Sequence, residues 1–572
     1  MSSLDWIILS ITLLTIIGYG LFKSRTSKNL DGYFLNNRSM PWYLVLLSIM
    51  GTQASAITFL SAPGQAFTDG MRFVQYYFGL PIAMVVLCIT FVPLFHKLKV
   101  FTAYEFLEKR FDLRVRTFTS FLFLLSRGLA TGISIYAPSI ILSSLLGWNI
   151  FYTNIVMGGL LIIYTVSGGA RAVAYTQTLQ LVVIFCGMFA AGYYIIHLLP
   201  SNVGFIDALK ISGVNGKLNV ITTGFTKNGF DWKDKYNIVS GIIGGFFLAL
   251  SYFGTDQSQV GRYLTAKDDK ESKLGLLMNG LVKVPMQFFI LLLGALLFVF
   301  YQFKPMPIYF DKAAEIKVYQ SAYKDSMQNV QNAYYLVQTK KQDLSLQFIK
   351  NNTENLKSEI REQKFKEDSL RSLASHYAKA SNASPDGKDT NYIFLRFVVD
   401  NLPKGLVGLL IAIIFLSAWG SIAASLNSLA GCTMIDFHLR FTKQKATEKR
   451  AYDLSKFYTF VWGVFCIVVA ELATGMGSLI EAVNVLGSLF YGVILGIFLV
   501  AFYCKKVQAN AVFIAAILTE IIVIVLFTLD KMNIIGLGFL WLNVVGAILV
   551  VLFGLLFQHF FKEPLSSPSK IY

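Results

Sequence analysis

The chain has 572 residues, 55% of them hydrophobic and only 15% charged, with 50 Lys and Arg against 33 Asp and Glu for a formal charge of +17. A soluble protein carries roughly 25% charged residues, and single soluble cores stop growing at ~250–300 residues. So much apolar surface excludes a water-soluble globule and points to lipid. The basic excess would suggest nucleic acid in a soluble chain. Here Lys- and Arg-rich cytoplasmic loops account for it, and no nucleic-acid partner is expected.

Apolar runs of roughly 18–28 residues, enough to cross ~30 Å of hydrocarbon, occur near 4–22, 42–67, 74–95, 117–146, 149–167, 172–198, 238–260, 275–302, 404–435, 455–474, 478–503, 509–528 and 535–560. They predict an all-α integral membrane protein of about thirteen transmembrane helices. The first run follows Asp5 without a basic n-region or a small-residue cleavage site, so it reads as a span rather than a signal peptide. Cys88, Cys186, Cys432, Cys466 and Cys504 lie in or beside apolar runs without metal-ligand spacing, which excludes a disulfide framework.

Basic residues mark alternate loops: 23–41 (Lys23, Arg25, Lys28, Arg38), 96–116 (Lys97, Lys99, Lys109, Arg110, Arg114, Arg116), 262–273, 438–456 (Arg440, Lys443, Lys445, Lys449, Arg450) and 504–508 (Lys505, Lys506). By the positive-inside rule the N-terminus lies outside and the C-terminus in the cytoplasm of a multi-pass cell-membrane protein. Residues 303–403 stand apart, hydrophilic and without a spanning run. Val330, Tyr334, Val337, Leu344, Phe348 and Leu356 are spaced there as on helices. They predict an external helical hairpin over the outer mouth, with a solvated loop as the alternative.

Polar groups inside a bilayer are costly and need a reason. One cluster, Gly51-Thr52-Gln53-Ala54-Ser55-Ala56-Ile57-Thr58 followed by Pro63-Gly64, falls in the second run. Small residues, hydroxyls and an amide there allow a helix to unwind and expose carbonyls; close helix packing is the plainer reading. A second cluster, Ser417-Ala418-Trp419-Gly420-Ser421 through Ser428, lies seven runs later. A broken helix offering carbonyls to a hydroxyl-bearing helix suits sodium, a hard cation content with neutral oxygens.

At these residues the sequence resembles the sodium/solute symporter family, which carries glucose, iodide, vitamins and monocarboxylates. The stretch from Asp31-Gly32-Tyr33-Phe34 to Pro41-Trp42 is similar to the loop before that family's broken helix. Further matches are Thr102 to Phe111, Ser167-Gly168-Gly169-Ala170-Arg171-Ala172-Val173, and Phe253-Gly254-Thr255-Asp256-Gln257 to Leu264. Gly132 to Ser139 looks most like the iodide, vitamin and monocarboxylate branch.

The resemblance implies a leucine-transporter-type fold of two inverted five-helix repeats with one leading and two trailing helices. The divisions are then 1–41 (leading helix and loop), 42–198 (first repeat), 199–237 (external loop), 238–302 (two helices of the second repeat), 303–403 (insert), 404–503 (the other three helices) and 504–572 (trailing helices). It implies sodium-driven symport of a small solute by alternating access, by a monomer or weak homodimer in the lipid bilayer. One sodium would be held by the backbone of Gly51, Ala54 and Ser417 and the hydroxyl of Ser421. Where the family places a second hydroxyl stands Gly420, which removes a ligand. A second ion site would need a carboxylate and two hydroxyls where Gln177, Ala423 and Ala424 stand, so it is not expected.

The same resemblance puts Gln53, Thr58, Tyr77, Tyr252 and Lys283 around the substrate, with Tyr252 as an inner gate and Lys283 as a pocket cation. Snorkelling is the alternative for Lys283 and bundle packing that for Tyr252. Loss of sugar-type groups and retention of a cation favour a carboxylate solute, with a vitamin or sugar derivative open. Arg127 reads as a structural group bonded to a loop, Asp256 as a cavity residue or partner of Arg262, and Glu520 as a structural mid-span carboxylate. Proton-coupled or uncoupled transport, or a non-transporting sensor, are the alternatives. A membrane enzyme is not expected, because the five His (His96, His197, His376, His438, His559) are scattered without nucleophile–base or metal spacing.

Overall fold

The computed structural model describes residues 1–24, 30–384, 386–442, 447–473 and 477–561. Of the predicted basic loops, Arg25, Lys28, Lys443 and Lys445 lie outside the described residues, as do the side chains of 167–172. Nine helices among the described residues are long and apolar enough to cross a membrane. The pair α2 (Trp42–Gln53) and α3 (Ala56–Asp69) passes the same test as one element bent by 61°. Shorter apolar helices cover Ser3–Tyr19 (within α1, Ser3–Ser24), Ile150–Val166 and Ser240–Thr255.

After α4 (Leu113–Leu146) the predicted spans at 149–167 and 172–198 are present as the apolar stretches Ile150–Val166 and Val173–His197. Helix runs unbroken through α5 (Ile150–His197). A second break, not predicted, separates α6 (Gly245–Thr255) from α7 (Gln257–Tyr263). The long α8 (Asp269–Phe303) follows.

The predicted hairpin is present as α9 (Lys324–Lys350) and α10 (Glu354–Ala380). Val330, Tyr334, Leu344 and Phe348 are its buried stripe. A buried Lys341–Glu367 ion pair joins its two helices, and Tyr334 donates to the same carboxylate at 3.3 Å. Arg371 reaches both oxygens of Asp389 at 3.0 Å. The chain beyond then packs on the bundle, where the Thr390 carbonyl sits so close to Gly64 that a Cβ there would approach it to 2.0 Å. Asn391 donates to the Gly477 carbonyl at 2.7 Å.

At the centre lies α11 (Leu406–Cys432), buried along almost its whole length, as a core helix must be. It packs against α1, α4, α5 and α12 (Glu448–Leu472). The N-terminus of α11 is capped from a distance: the Asp5 carboxylate accepts the N–H groups of Gly405 (2.6 Å) and Gly408 (3.3 Å). A Cβ at Gly408 would meet the Asp5 carbonyl at 2.1 Å, so only glycine permits this approach. Helices α13 (Leu479–Tyr503), α14 (Ala509–Lys531) and α15 (Leu540–Phe560) pack against one another at the end of the chain.

Candidate functional site: a polar cavity between two broken helices

The first break begins where α2 ends at Gln53. Ala54 leaves helical geometry (ψ 70°) and Ser55 is extended (φ −81°, ψ 170°). In an unbroken helix the Ser55 N–H would bond the Gly51 carbonyl and the Thr58 N–H that of Ala54. They bond Gln53 (2.9 Å) and Ser55 (3.0 Å) instead. The carbonyls of Gly51 and Ala54 therefore lose their helical donors, and in a bilayer such groups need another partner. A cation meets that need without a proton donor.

Beside this break stands Gln177 of α5, fully buried. Its carbonyl oxygen accepts from Ser48 at 3.2 Å, while its amide donates to Thr52 Oγ1 (3.2 Å) and to the Gly420 carbonyl (3.1 Å). The amide thus ties α2 to α11. Its stem fills the space over two glycines: a Cβ at Gly51 would meet Gln177 Cβ at 2.7 Å, and one at Gly420 would meet Gln177 Cγ at 3.2 Å. Ser417 and Ser421 donate back to Ile414 (2.8 Å) and Ala418 (3.1 Å) of their own helix, which leaves both hydroxyl oxygens able to accept or ligate.

At the second break Asp256 supplies what the first lacks. Its Oδ1 caps α7 by accepting Ser258 N–H (2.8 Å) and Oγ–H (2.6 Å). Its Oδ2 takes Arg127 Nε at 3.0 Å, a close contact with Arg127 Nη2, and the Tyr491 hydroxyl at 2.9 Å. The Arg127 guanidinium also lies 5.2 Å from the centroid of the Tyr252 ring. Two earlier expectations change here. Arg127 serves a buried carboxylate rather than a loop, and Asp256 pairs with Arg127 rather than with Arg262, whose Nε has no partner among the described residues.

Between the breaks is a cavity of about 140 Å³, room for roughly ten waters at ~10–15 Å³ each. All five residues predicted around the substrate line it: Gln53, Thr58, Tyr77, Tyr252 and Lys283. Of the predicted ion ligands Ser421 lines it, while Gly51, Ala54, Ser417 and Gly420 do not. Gln53 donates to Asn279 at 3.1 Å, and Gln259 donates to the Tyr252 hydroxyl at 2.7 Å. Lys283 is 2% exposed and makes no hydrogen bond or ion pair among the described residues; its ammonium lies 5.6 Å from the Tyr77 ring centroid. Among the described residues no carboxylate lines the cavity.

The sequence reading missed Arg127, Thr131 and Ser134 as wall residues, along with Tyr491 and the hydrogen-bonded pair Tyr76–Asn484 (3.1 Å). Thr131 and Ser134 sit one and two turns beyond Arg127 on α4, a helical spacing that could have marked that face. Nothing in the sequence marks Asn484. Glu520, on α14, lies outside the cavity, and both its carboxylate oxygens are buried without a partner among the described residues.

Broken helices flanking a cavity with polar side chains in its wall are the architecture of a secondary transporter. Comparison with known proteins gives its kind. The sodium:solute symporter family profile matches residues 33–331 and 371–519. The sodium/sialic acid symporter NanT of Aliivibrio fischeri is 24% identical over 99% of this chain and 95% of its own. SiaT of Proteus mirabilis, also a sodium/sialic acid symporter, is 25% identical over 96% and 93%. A solved structure of a Na+-coupled sialic acid symporter, substrate-bound and outward-open, superposes with a TM-score of 0.75 at 23% identity, covering all of both chains. The chain belongs to the sodium:solute symporter family, and it is a multi-pass membrane protein that couples a small solute to sodium.

Proposed function

We propose that this symporter carries a solute bearing a carboxylate, together with one sodium ion. The observation that carries this reading is Lys283, a buried ammonium on the wall of a cavity that offers it no counter-charge. A charge so placed is costly unless something pairs with it, and an entering carboxylate does. Gln53, Thr58 and Tyr77 supply neutral hydrogen bonds around it. The sialic acid relatives take a solute of that class by their names.

Sodium sits at the carbonyls of Gly51, Ala54 and Ser417 and the hydroxyl of Ser421, a neutral oxygen set suited to a hard monovalent cation. Binding it draws the first break onto α11 and orders the outer half-helix α3, which carries Thr58 into the cavity. The Thr390–Gly64 and Tyr76–Asn484 contacts close the outer side. The Arg127–Asp256–Tyr491 cluster with Tyr252 closes the inner side. Thirteen spans arranged as two five-helix repeats with one leading and two trailing helices accommodate this, with the N-terminus and hairpin outside and the basic loops in the cytoplasm.

The test is uptake into proteoliposomes of a panel of carboxylate solutes, sialic acids and monocarboxylates included, beside their neutral analogues. Accumulation should require an inward sodium gradient and a carboxylate. Equal uptake with choline in place of sodium at fixed pH would refute the coupling. Preference for the neutral analogues would refute the role of Lys283.

A further inference from the structure

Gly420 takes one oxygen away from the proposed sodium site, on which this inference rests. The space its side chain would fill is not empty. A Cβ built on Gly420 would lie 2.6 Å from Gln180 Oε1, closer than a real side chain tolerates, so an amide oxygen stands where a hydroxyl would project. Gln180 is 3% exposed and makes no hydrogen bond among the described residues.

Its neighbour explains why the two amides differ. Gln177 lies three residues earlier on the same face of α5, and its oxygen and both amide hydrogens are engaged with Ser48, Thr52 and Gly420. One lone pair of the Gln177 oxygen is thus already taken by Ser48, and its amide holds the Gly420 carbonyl in place. Gln180 has its whole carbonyl available. A neutral amide oxygen is an accepted ligand for hard cations.

We infer that Gln180 Oε1 is a sodium ligand of this symporter, supplied from α5 to replace the hydroxyl that Gly420 lacks. The site would then be closed by three helices rather than two, and ion binding would clamp α5 against α2 and α11. Substituting Gly420 alone would be harmful in this chain, because its Cβ would displace the amide oxygen it was meant to assist.

The experiment follows sodium-dependent thermal stabilisation of the full chain in detergent without solute, titrating sodium against choline at constant ionic strength. Gln180→Leu should raise the sodium concentration for half-maximal stabilisation by about tenfold, the scale of one polar interaction. Gly420→Ser should weaken binding in the native background but restore it to within about threefold in a Gln180→Ala background, where the space is vacant. An unchanged sodium midpoint in Gln180→Leu, or no rescue in the double variant, overturns the inference. If Gln180→Leu does not fold, Gln180→Glu keeps an oxygen at the same reach and should lower the midpoint; an unchanged midpoint again overturns it. Ser421→Ala separates the two readings. If it shifts the midpoint and Gln180→Leu does not, the site stands and the role of Gln180 falls. If neither shifts it, both fall.

Discussion

The two broken helices solve one problem in opposite ways. The α6–α7 break carries its own charge, Asp256, whose oxygens are taken by the next turn, by Arg127 and by Tyr491. The α2–α3 break has no charge, and two of its carbonyls have lost their helical donors. A break satisfied by side chains is a fixed strut, whereas a break left open is satisfied only when a ligand arrives. In the proposed reading the charged α6–α7 break belongs to the inner gate and the open α2–α3 break to the coupling ion.

This contrast predicts the largest effect at the charged break. Arg127→Met leaves Asp256 buried and unpaired and should cost about 3–5 kcal/mol of stability, read as a lower thermal or denaturant midpoint. Arg127→Met combined with Asp256→Asn should recover most of the loss. A single variant as stable as the native chain would mean that the pair bears no load.

Lys283→Met should raise the half-saturating concentration of a carboxylate solute about 10- to 100-fold, the worth of a hydrogen bond to a charged group. Sodium binding without solute should stay unchanged. Comparable loss for a neutral analogue would place Lys283 in packing instead. Gln177→Leu should follow at roughly tenfold, because it leaves the Gly420 carbonyl and two hydroxyls without their partner. Here the sodium midpoint should move before the solute affinity does.

Ser421→Ala should shift the sodium midpoint several-fold, about 1 kcal/mol for one lost neutral ligand. The smallest effect lies away from both breaks. Burial, with Lys364 nearby, lowers the pKa of Lys217 to about 7, and its ammonium donates to the Thr68 carbonyl at 2.6 Å. Between that value and the ordinary lysine pKa the unfolded chain binds the extra proton, so stability should rise with pH through that window. Midpoints measured from about pH 7 to about pH 9 should climb in the native chain and stay flatter in Lys217→Met.

Much of this was legible in the sequence, for local reasons. Run length and apolar content located the membrane helices, and the spacing of Val330, Tyr334, Leu344 and Phe348 located the hairpin. Small and hydroxyl residues marked the first break. The second break escaped because its signal is a single acidic residue, Asp256, whose meaning depends on Arg127, 129 positions earlier, and on Tyr491, 235 later. Asn484 escaped likewise, since its role comes from Tyr76, 408 residues away. Gln177 was read only as the absence of a carboxylate. Its three hydrogen bonds give it a positive task that residue type alone does not announce.

The cap that Asp5 places on α11 has a consequence for how the protein is made. The Gly405 N–H that the Asp5 carboxylate serves is synthesised 400 positions after it. At ~5–20 residues per second translation leaves that side chain waiting roughly 20–80 s for its partner. Helix α1 must therefore enter the membrane unfinished, and the arrival of α11 decides when it is locked in place.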